Sequence, residues 1–303
     1  EDSDASDINS LLDRANMALK TIKVKGAAQW KFYDHTMRDK LLREKDLEIR
    51  MEKALADGEF LVYIQPKYWV GTRALAGGEA LVRWKSPDQG FLSPGEFIPL
   101  FEKNRFIVKL DQFMFTSVCG LLRQWLDAGI EPRPLSVNVS RMQFHTPDFV
   151  ERYIRIKSQY AIPDGLLELE FTESIFFDNV ALLSSAVHEL RRAGIKCSID
   201  DFGAGYSSLN VLKALPVSVL KLDGMFFRTA KDDEQAKIVI RNIMRMAGEL
   251  KMATVAEGVE THEQVAFLET TGCDIIQGYV FARPMPAAEF TELLAGEGGH
   301  AER

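Results

Sequence analysis

Residues 194–209 read GIKCSIDDFGAGYSSL. Ile195, Cys197 and Ile199 alternate with polar residues, the period-two pattern of a half-buried strand. The strand runs straight into two adjacent carboxylates, Asp200 and Asp201, and then into a glycine-rich turn. Neighbouring carboxylates repel each other and are costly to desolvate. Their place at the end of a buried strand therefore calls for a compensating charge.

The same kind of unit recurs on both sides. Short apolar runs stand at FLVYIQP, GGEALVRW, PLSVNVS, LLELEFTE, KCSIDD, VSVLKLD, ATVAEGVE and DIIQGYVF. Amphipathic helical stretches separate most of them, at 108–128, 147–159, 180–193, 232–250 and 261–270. This even alternation predicts an α/β fold, a TIM-like (β/α)8 barrel; a doubly wound open sheet is the alternative. The connection at 67–78 is too short and too glycine-rich for a helix. The first strand is therefore expected to be hairpin-linked to the second and antiparallel to it.

Ahead of the barrel, residues 5–22 carry Ile8, Leu11, Leu12, Ala15 and Ala18 or Leu19 at helical spacing, with Ser6 or Asp7 as a start signal. AAQWKFYD, 27–34, reads as one strand. One helix and one strand cannot bury a core alone, so residues 1–34 read as the tail of another domain. Residues 35–58 read as a charged connector helix with Leu41, Leu47, Met51 and Leu55 along one side. It is either a solvated spacer or a signal-carrying, dimerising helix. The barrel is assigned to 59–298.

Bulk composition narrows the function. The chain has 37 basic against 44 acidic residues, a net charge of −7, and no basic block of the kind a DNA or RNA polymer would need. Cys119, Cys197 and Cys273 are far apart and form no CxxC pair, which predicts reduced thiols in a reducing, cytoplasmic setting. No run of about 18 apolar residues and no leader pattern is seen. The first residue is Glu1, so the chain reads as a piece of something longer, and membrane contact is expected only through parts outside it.

Polar residues interrupt the apolar runs at one consistent place. Glu79 lies in the second run, Asn138 ends the third, and Glu170 and Glu173 end the fourth. Asp200 and Asp201 end the fifth, Lys221 and Asp223 the sixth, Glu257 and Glu260 follow the seventh, and Gln277 follows the start of the eighth. In a barrel, the C-terminal strand ends form one rim, where active sites are built. Carboxylates and one amide, without paired His or Cys, select Mg²⁺ or Mn²⁺. His35, His145, His188, His262 and His300 show no ligand spacing. Two divalent ions, with one carboxylate of the Asp pair bridging them, suit phosphodiester hydrolysis. Lys221 can hold water or touch a phosphate oxygen, and the guanidinium of Arg83 suits a phosphate.

These residues resemble the EAL family of cyclic di-guanylate phosphodiesterases. The name motif stands at Glu79-Ala80-Leu81, and IQPKY, SPGEFIPL, VNVS, EFTES, DDFGAGYSSL, LKLD, AEGVE and QGYVFARP match as well, from about residue 59 to 295. The resemblance implies an antiparallel first strand, a homodimer, and hydrolysis of cyclic di-guanylate (c-di-GMP) to the linear dinucleotide with Mg²⁺ or Mn²⁺. It implies one ion on Glu79, Asn138, Glu170 and Asp200, and a second on Asp200, Asp201 and Glu257. Lys221 would hold the nucleophilic water. Gln65, Arg83 and Gln277 would serve the substrate cleft. Glu173 would brace the loop after Asp201. Asp223, on the substrate side, and Glu260 would support the ligands from behind. Ala204 stands where the family has threonine, and LFEKNRFI at 100–107 departs from its usual pattern. LLDRANMALKTIKVKGAAQWKFYD resembles the closing helix and strand of a GGDEF cyclase-like domain, which would make the parent a GGDEF–EAL tandem, possible at the inner membrane with this part facing the cytoplasm. A receptor for the same ligand and hydrolysis of another phosphodiester are the other readings. The complete ligand set argues against the receptor.

Overall fold

The computed structural model describes residues 8–20, 30–173, 175, 180–203, 216–229 and 233–298. Ala204, the rest of its loop, the cap at Ser6 or Asp7 and residues 27–29 lie outside them.

The strands are β1 (Phe60–Trp69), β2 (Leu75–Ser86), β3 (Gly90–Leu92), β4 (Leu135–Asn138), β5 (Leu167–Thr172), β6 (Lys196–Phe202), β7 (Val219–Leu222), β8 (Ala253–Ala256), β9 (Ile275–Gln277) and β10 (Met285–Pro286). The order is β10-β1-β9-β8-β7-β6-β5-β4-β2-β3, with β1 also paired to β2. That last pairing closes β1, β2 and β4–β9 into an eight-stranded barrel. β1 is antiparallel to both neighbours, β2 and β9, and the pairs from β2–β4 to β8–β9 are parallel. The expected barrel and its reversed first strand are both found.

Helices α1 (Ile8–Lys20), α2 (His35–Ala56), α3 (Pro94–Lys103), α4 (Ile107–Asp127), α5 (Phe149–Gln159), α6 (Val180–Arg192), α7 (Met225–Thr229), α8 (Glu234–Glu249), α9 (His262–Glu269) and α10 (Ala287–Gly298) complete the described elements. The five amphipathic stretches read from the sequence match α4, α5, α6, α8 and α9. The expected strand at 27–34 is not seen in its described part: residues 30–34 are irregular, with Trp30 and Phe32 exposed. A strand needs a neighbour to satisfy its backbone, and the described residues give this one none.

Gly78 explains the double glycine before Glu79. A Cβ there would lie 2.4 Å from the Ile64 side chain on β1. The bare backbone lets β2 lie against β1 with Phe290 of α10 close behind.

The connector helix is not merely solvated. Leu47 and Ala54 of α2 are buried with Phe60, Trp84, Phe97, Phe101 and Phe106, and Met51 and Leu55 pack on the same cluster. Arg50 donates to Ser86 Oγ at 2.9 Å and lies 3.4 Å from Asp88. The helix is thereby fastened to β2 and the β2–β3 turn. Leu47→Ala is expected to destabilise the chain by about 2–5 kcal/mol in urea denaturation, the range for emptying a buried leucine site. A loss within about 0.5 kcal/mol would mark α2 as a solvated spacer.

Candidate active site

Strand β6 solves the problem set by its two aspartates through backbone geometry. Successive side chains on a regular strand point to opposite faces. Here the pairing with β7 is irregular between Ile199 and Phe202, and Asp201 takes φ +54°, in the left-handed region. Asp tolerates that region better than most residues. The break in alternation lets Asp200, Asp201 and Glu257 each offer a carboxylate oxygen within 4.8 Å of the others. Asp200 Oδ1 also accepts from the Asp201 backbone N–H at 2.9 Å. The chain then turns at Gly203, φ +90°, where a Cβ would strike the Phe226 ring at 2.2 Å.

Lys221 of β7 is the hub. It is fully buried, and its Nζ lies 2.5 Å from Glu170 Oε2, 2.6 Å from Glu257 Oε1, 3.1 Å from Asp200 Oδ1 and 3.6 Å from Glu79 Oε2. Burial alone would lower its pKa, but Asp200, Glu170, Glu257 and Glu79 hold it well above the ordinary lysine value. The ammonium is therefore charged.

Two amides fix Glu79. Asn138 Nδ2 donates to its Oε1 at 2.7 Å, and Gln277 Nε2 donates to its Oε2 at 2.6 Å. Gln277 also donates to Gln65 Oε1 at 3.2 Å, and Gln65 to the Ala282 carbonyl at 3.4 Å. Both glutamines are buried; Gln277 braces Glu79 directly and Gln65 joins it through Gln277.

The carboxylates divide by environment. Burial, and then Glu170, push Glu79 upward; burial pushes Glu257 well up despite Lys221. Burial would also raise Glu170, but Lys221 and Lys67 outweigh it and hold it down to about 2. Lys67, absent from the sequence reading of the site, donates to Glu170 Oε1 at 2.9 Å and Ser136 Oγ at 2.7 Å. Its signal was a lysine two residues beyond Gln65, on the same face of the strand.

Around this centre, Glu173 Oε2 accepts from the Gly203 N–H at 3.1 Å, which ties the end of β5 to the start of the loop after Asp201. Asp223 caps α7, its Oδ1 accepting from the Met225 N–H at 2.6 Å. Arg83 lies four residues beyond Glu79 on β2, over the Tyr63 ring at 5.6 Å. A cavity of about 250 Å³ opens beside it, lined also by Asn138, Ser140, Glu102, Asp111 and Ile98. Asp111 is a buried acid missed from sequence; it accepts from the Ser140 N–H at 3.0 Å and so steadies the chain just after Asn138. Glu260 is exposed, and among the described residues its backbone N–H donates to Gln264 Oε1 at 2.8 Å. It lies on the outer lip, capping the approach to α9.

The donor set is carboxylate and amide oxygen, with no His or Cys in the described cluster. Such hard donors, mutually repelling and partly desolvated, fit divalent cations.

The family profile described as EAL domain matches residues 49–284. Among curated relatives, the bifunctional diguanylate cyclase/cyclic di-GMP phosphodiesterase MucR of Pseudomonas aeruginosa is 32% identical over 95% of this chain and 42% of its own length. The cyclic di-GMP phosphodiesterase NbdA of the same organism is 34% identical over 96% of this chain and 37% of its own. The chain thus spans about two-fifths of the length of these relatives. Among solved structures, the MucR phosphodiesterase in complex with c-di-GMP has a TM-score of 0.76 at 35% identity, covering 81% of this chain and 99% of that one. The EAL domain of Mycobacterium smegmatis DcpA has a TM-score of 0.68 at 29% identity, covering 78% and 98%.

Asp201 gives a pH test of the site without ions. Burial, then Asp200 and Asp223, push its carboxyl up to about 6 from 3.8. A carboxyl with a higher pKa folded than unfolded favours folding only while protonated. Its stabilising effect is lost as pH rises across that window, and the penalty is constant above it. In a chelator, the Tm of Asp201→Asn is expected to gain on the parent between about pH 4 and about pH 6 and to hold the gain above. Parallel curves across the window would show an unperturbed carboxyl.

Proposed function

The chain belongs to the EAL-domain family, and from that membership and the site's geometry we propose that it hydrolyses c-di-GMP to linear pGpG with Mg²⁺ or Mn²⁺. One observation carries the reading. Carboxylates from β2, β5, β6 and the turn after β8 converge on the buried Lys221 ammonium, and Asn138 donates to one of them, Glu79.

Glu79, Asn138, Glu170 and Asp200 would hold one ion, and Asp200, Asp201 and Glu257 the other. When bound, the ions supply an activated water and a counter-charge for the leaving oxygen. Lys221 is charged, so it acts as a hydrogen-bond donor that orients the attacking water and not as its base. Glu79 is held by amides on both oxygens, so it meets an ion with its orientation already set. Arg83, at the mouth of the adjoining cavity, is placed to take a phosphate oxygen. Glu173 holds the start of the loop after Asp201 through Gly203, and Asp223 steadies the end of β7.

The same reading takes residues 1–34 as the end of a GGDEF domain. The MucR alignment supports this, because its 287 residues must reach ahead of residue 49. It also includes a homodimer, for which Met225, Ile238 and Val239 are exposed apolar side chains, and a cytoplasmic setting. No helix among the described residues is long and apolar enough to cross a membrane.

Product analysis of the chain with c-di-GMP tests the proposal. Linear pGpG is expected with Mg²⁺ or Mn²⁺, and none with a chelator. Glu79→Ala is expected to lower turnover by more than about a hundredfold, beyond the usual loss from an outer partner. Turnover that survived the substitution would overturn the ligand assignment. Ligand binding without product would make the chain a receptor.

A further inference from the structure

Lys67 has no part in the mechanism above, yet it occupies the barrel interior. It is 6% exposed, which is unusual for a lysine. It sits on β1 opposite Gly77 of β2 and Gln277 of β9. From there its side chain crosses to two other strands, reaching Ser136 Oγ on β4 at 2.7 Å and Glu170 Oε1 on β5 at 2.9 Å. Lys221 takes the other oxygen of Glu170, Oε2, at 2.5 Å. The two oxygens of one carboxylate are thus divided between two buried ammonium groups.

Resting on the phosphodiesterase reading, we propose that Lys67 is a positioning residue for the reaction: it retains Glu170 Oε1, so that Glu170 offers a single oxygen, Oε2, to a divalent ion. A carboxylate can grip an ion through one oxygen or both. A charge-assisted hydrogen bond to one oxygen settles the choice and the rotamer together. Ser136 Oγ accepts from the same ammonium and also hydrogen-bonds Glu170, so serine, lysine and carboxylate form one buried cluster that holds the lysine in place.

The test uses the whole chain and two readouts. Mn²⁺ binding to the substrate-free protein is followed by electron paramagnetic resonance, and turnover of c-di-GMP is measured separately. Lys67→Met is expected to weaken Mn²⁺ binding by about tenfold or more and to lower kcat by a similar factor, with KM for the dinucleotide within about threefold. Lys67→Arg, which keeps charge and donor, is expected to recover most of both. A lysine acting by charge alone predicts the opposite sign, because removing a cation near the site tightens Mn²⁺ binding. Tighter or unchanged binding in a folded Lys67→Met chain would therefore overturn the proposal. If that variant does not fold, the Mn²⁺-loaded parent decides: Lys67 Nζ stays on Glu170 Oε1, or Glu170 turns both oxygens to the ion and the proposal falls. Parent protein that binds Mn²⁺ but leaves c-di-GMP intact would remove the reaction on which the proposal rests, while the binding readout would still report on Glu170.

Discussion

Everything in this site depends on gathering several carboxyl groups inside a barrel. Glu170 is fully buried at its side chain, Glu79 and Asp200 nearly so, and Glu257 largely buried. Four such groups cannot share a low-dielectric interior without counter-charge. Lys221 supplies the nearest one, and it is placed between the carboxylates and not beside one of them. An ammonium has three N–H bonds, so it cannot satisfy four acids equally. The distances rank them, with Glu170 and Glu257 close, Asp200 next and Glu79 farthest. Glu79 is the one that receives two amide donors instead. The protein thus gives Glu79 and Glu170 hydrogen-bond donors of different kinds, while Glu257 Oε1 lies against the ammonium with no hydrogen bond among the described residues.

The barrel makes this possible because its parallel strands deliver side chains to one rim from different directions. Strand β6 has to deliver two at once. A regular strand would send Asp200 and Asp201 to opposite faces. The left-handed Asp201 and the irregular β6–β7 pairing break that rule, at a backbone cost of order 1–3 kcal/mol. Gly203 and Glu173 then hold the distorted end in place. The strain stands where two neighbouring carboxylates are brought to one side of the strand with Glu257.

Much of this was legible in the sequence. The strands were visible as apolar runs, the reversed β1 followed from a connection too short for a helix, and the acids stood out because they broke the runs at matching positions. What escaped did so for physical reasons. Lys67 lies just after Pro66, and proline lacks the N–H of a ladder, so the first strand was read as ending there. In the fold β1 continues through Pro66 to Trp69 and carries Lys67 into the interior. α3 was hidden by Pro94 and Pro99, although Pro94 sits at the first turn where proline is tolerated. The strand expected at 27–34 had the right composition, but strand composition without a pairing partner does not make a strand.

Strand alternation also ties the front of the chain to the site. On β2, Glu79 and Arg83 share one face, while Trp84 falls on the other. Trp84 is fully buried in the aromatic cluster beneath α2, with its indole N–H on Glu59 at 2.7 Å. Arg50 of α2 grips Ser86, two residues further along the same strand. One strand therefore presents an acid and a cation, Glu79 and Arg83, on one face and anchors the connector helix with the other. Cores transmit displacement because they are packed at crystal-like density and cannot yield locally. A helix that shifted on this cluster would carry Trp84 with it, and Arg83 is the next residue in the chain. Docking of α2 is thus part of what holds the inner face of β2 in register with the rim.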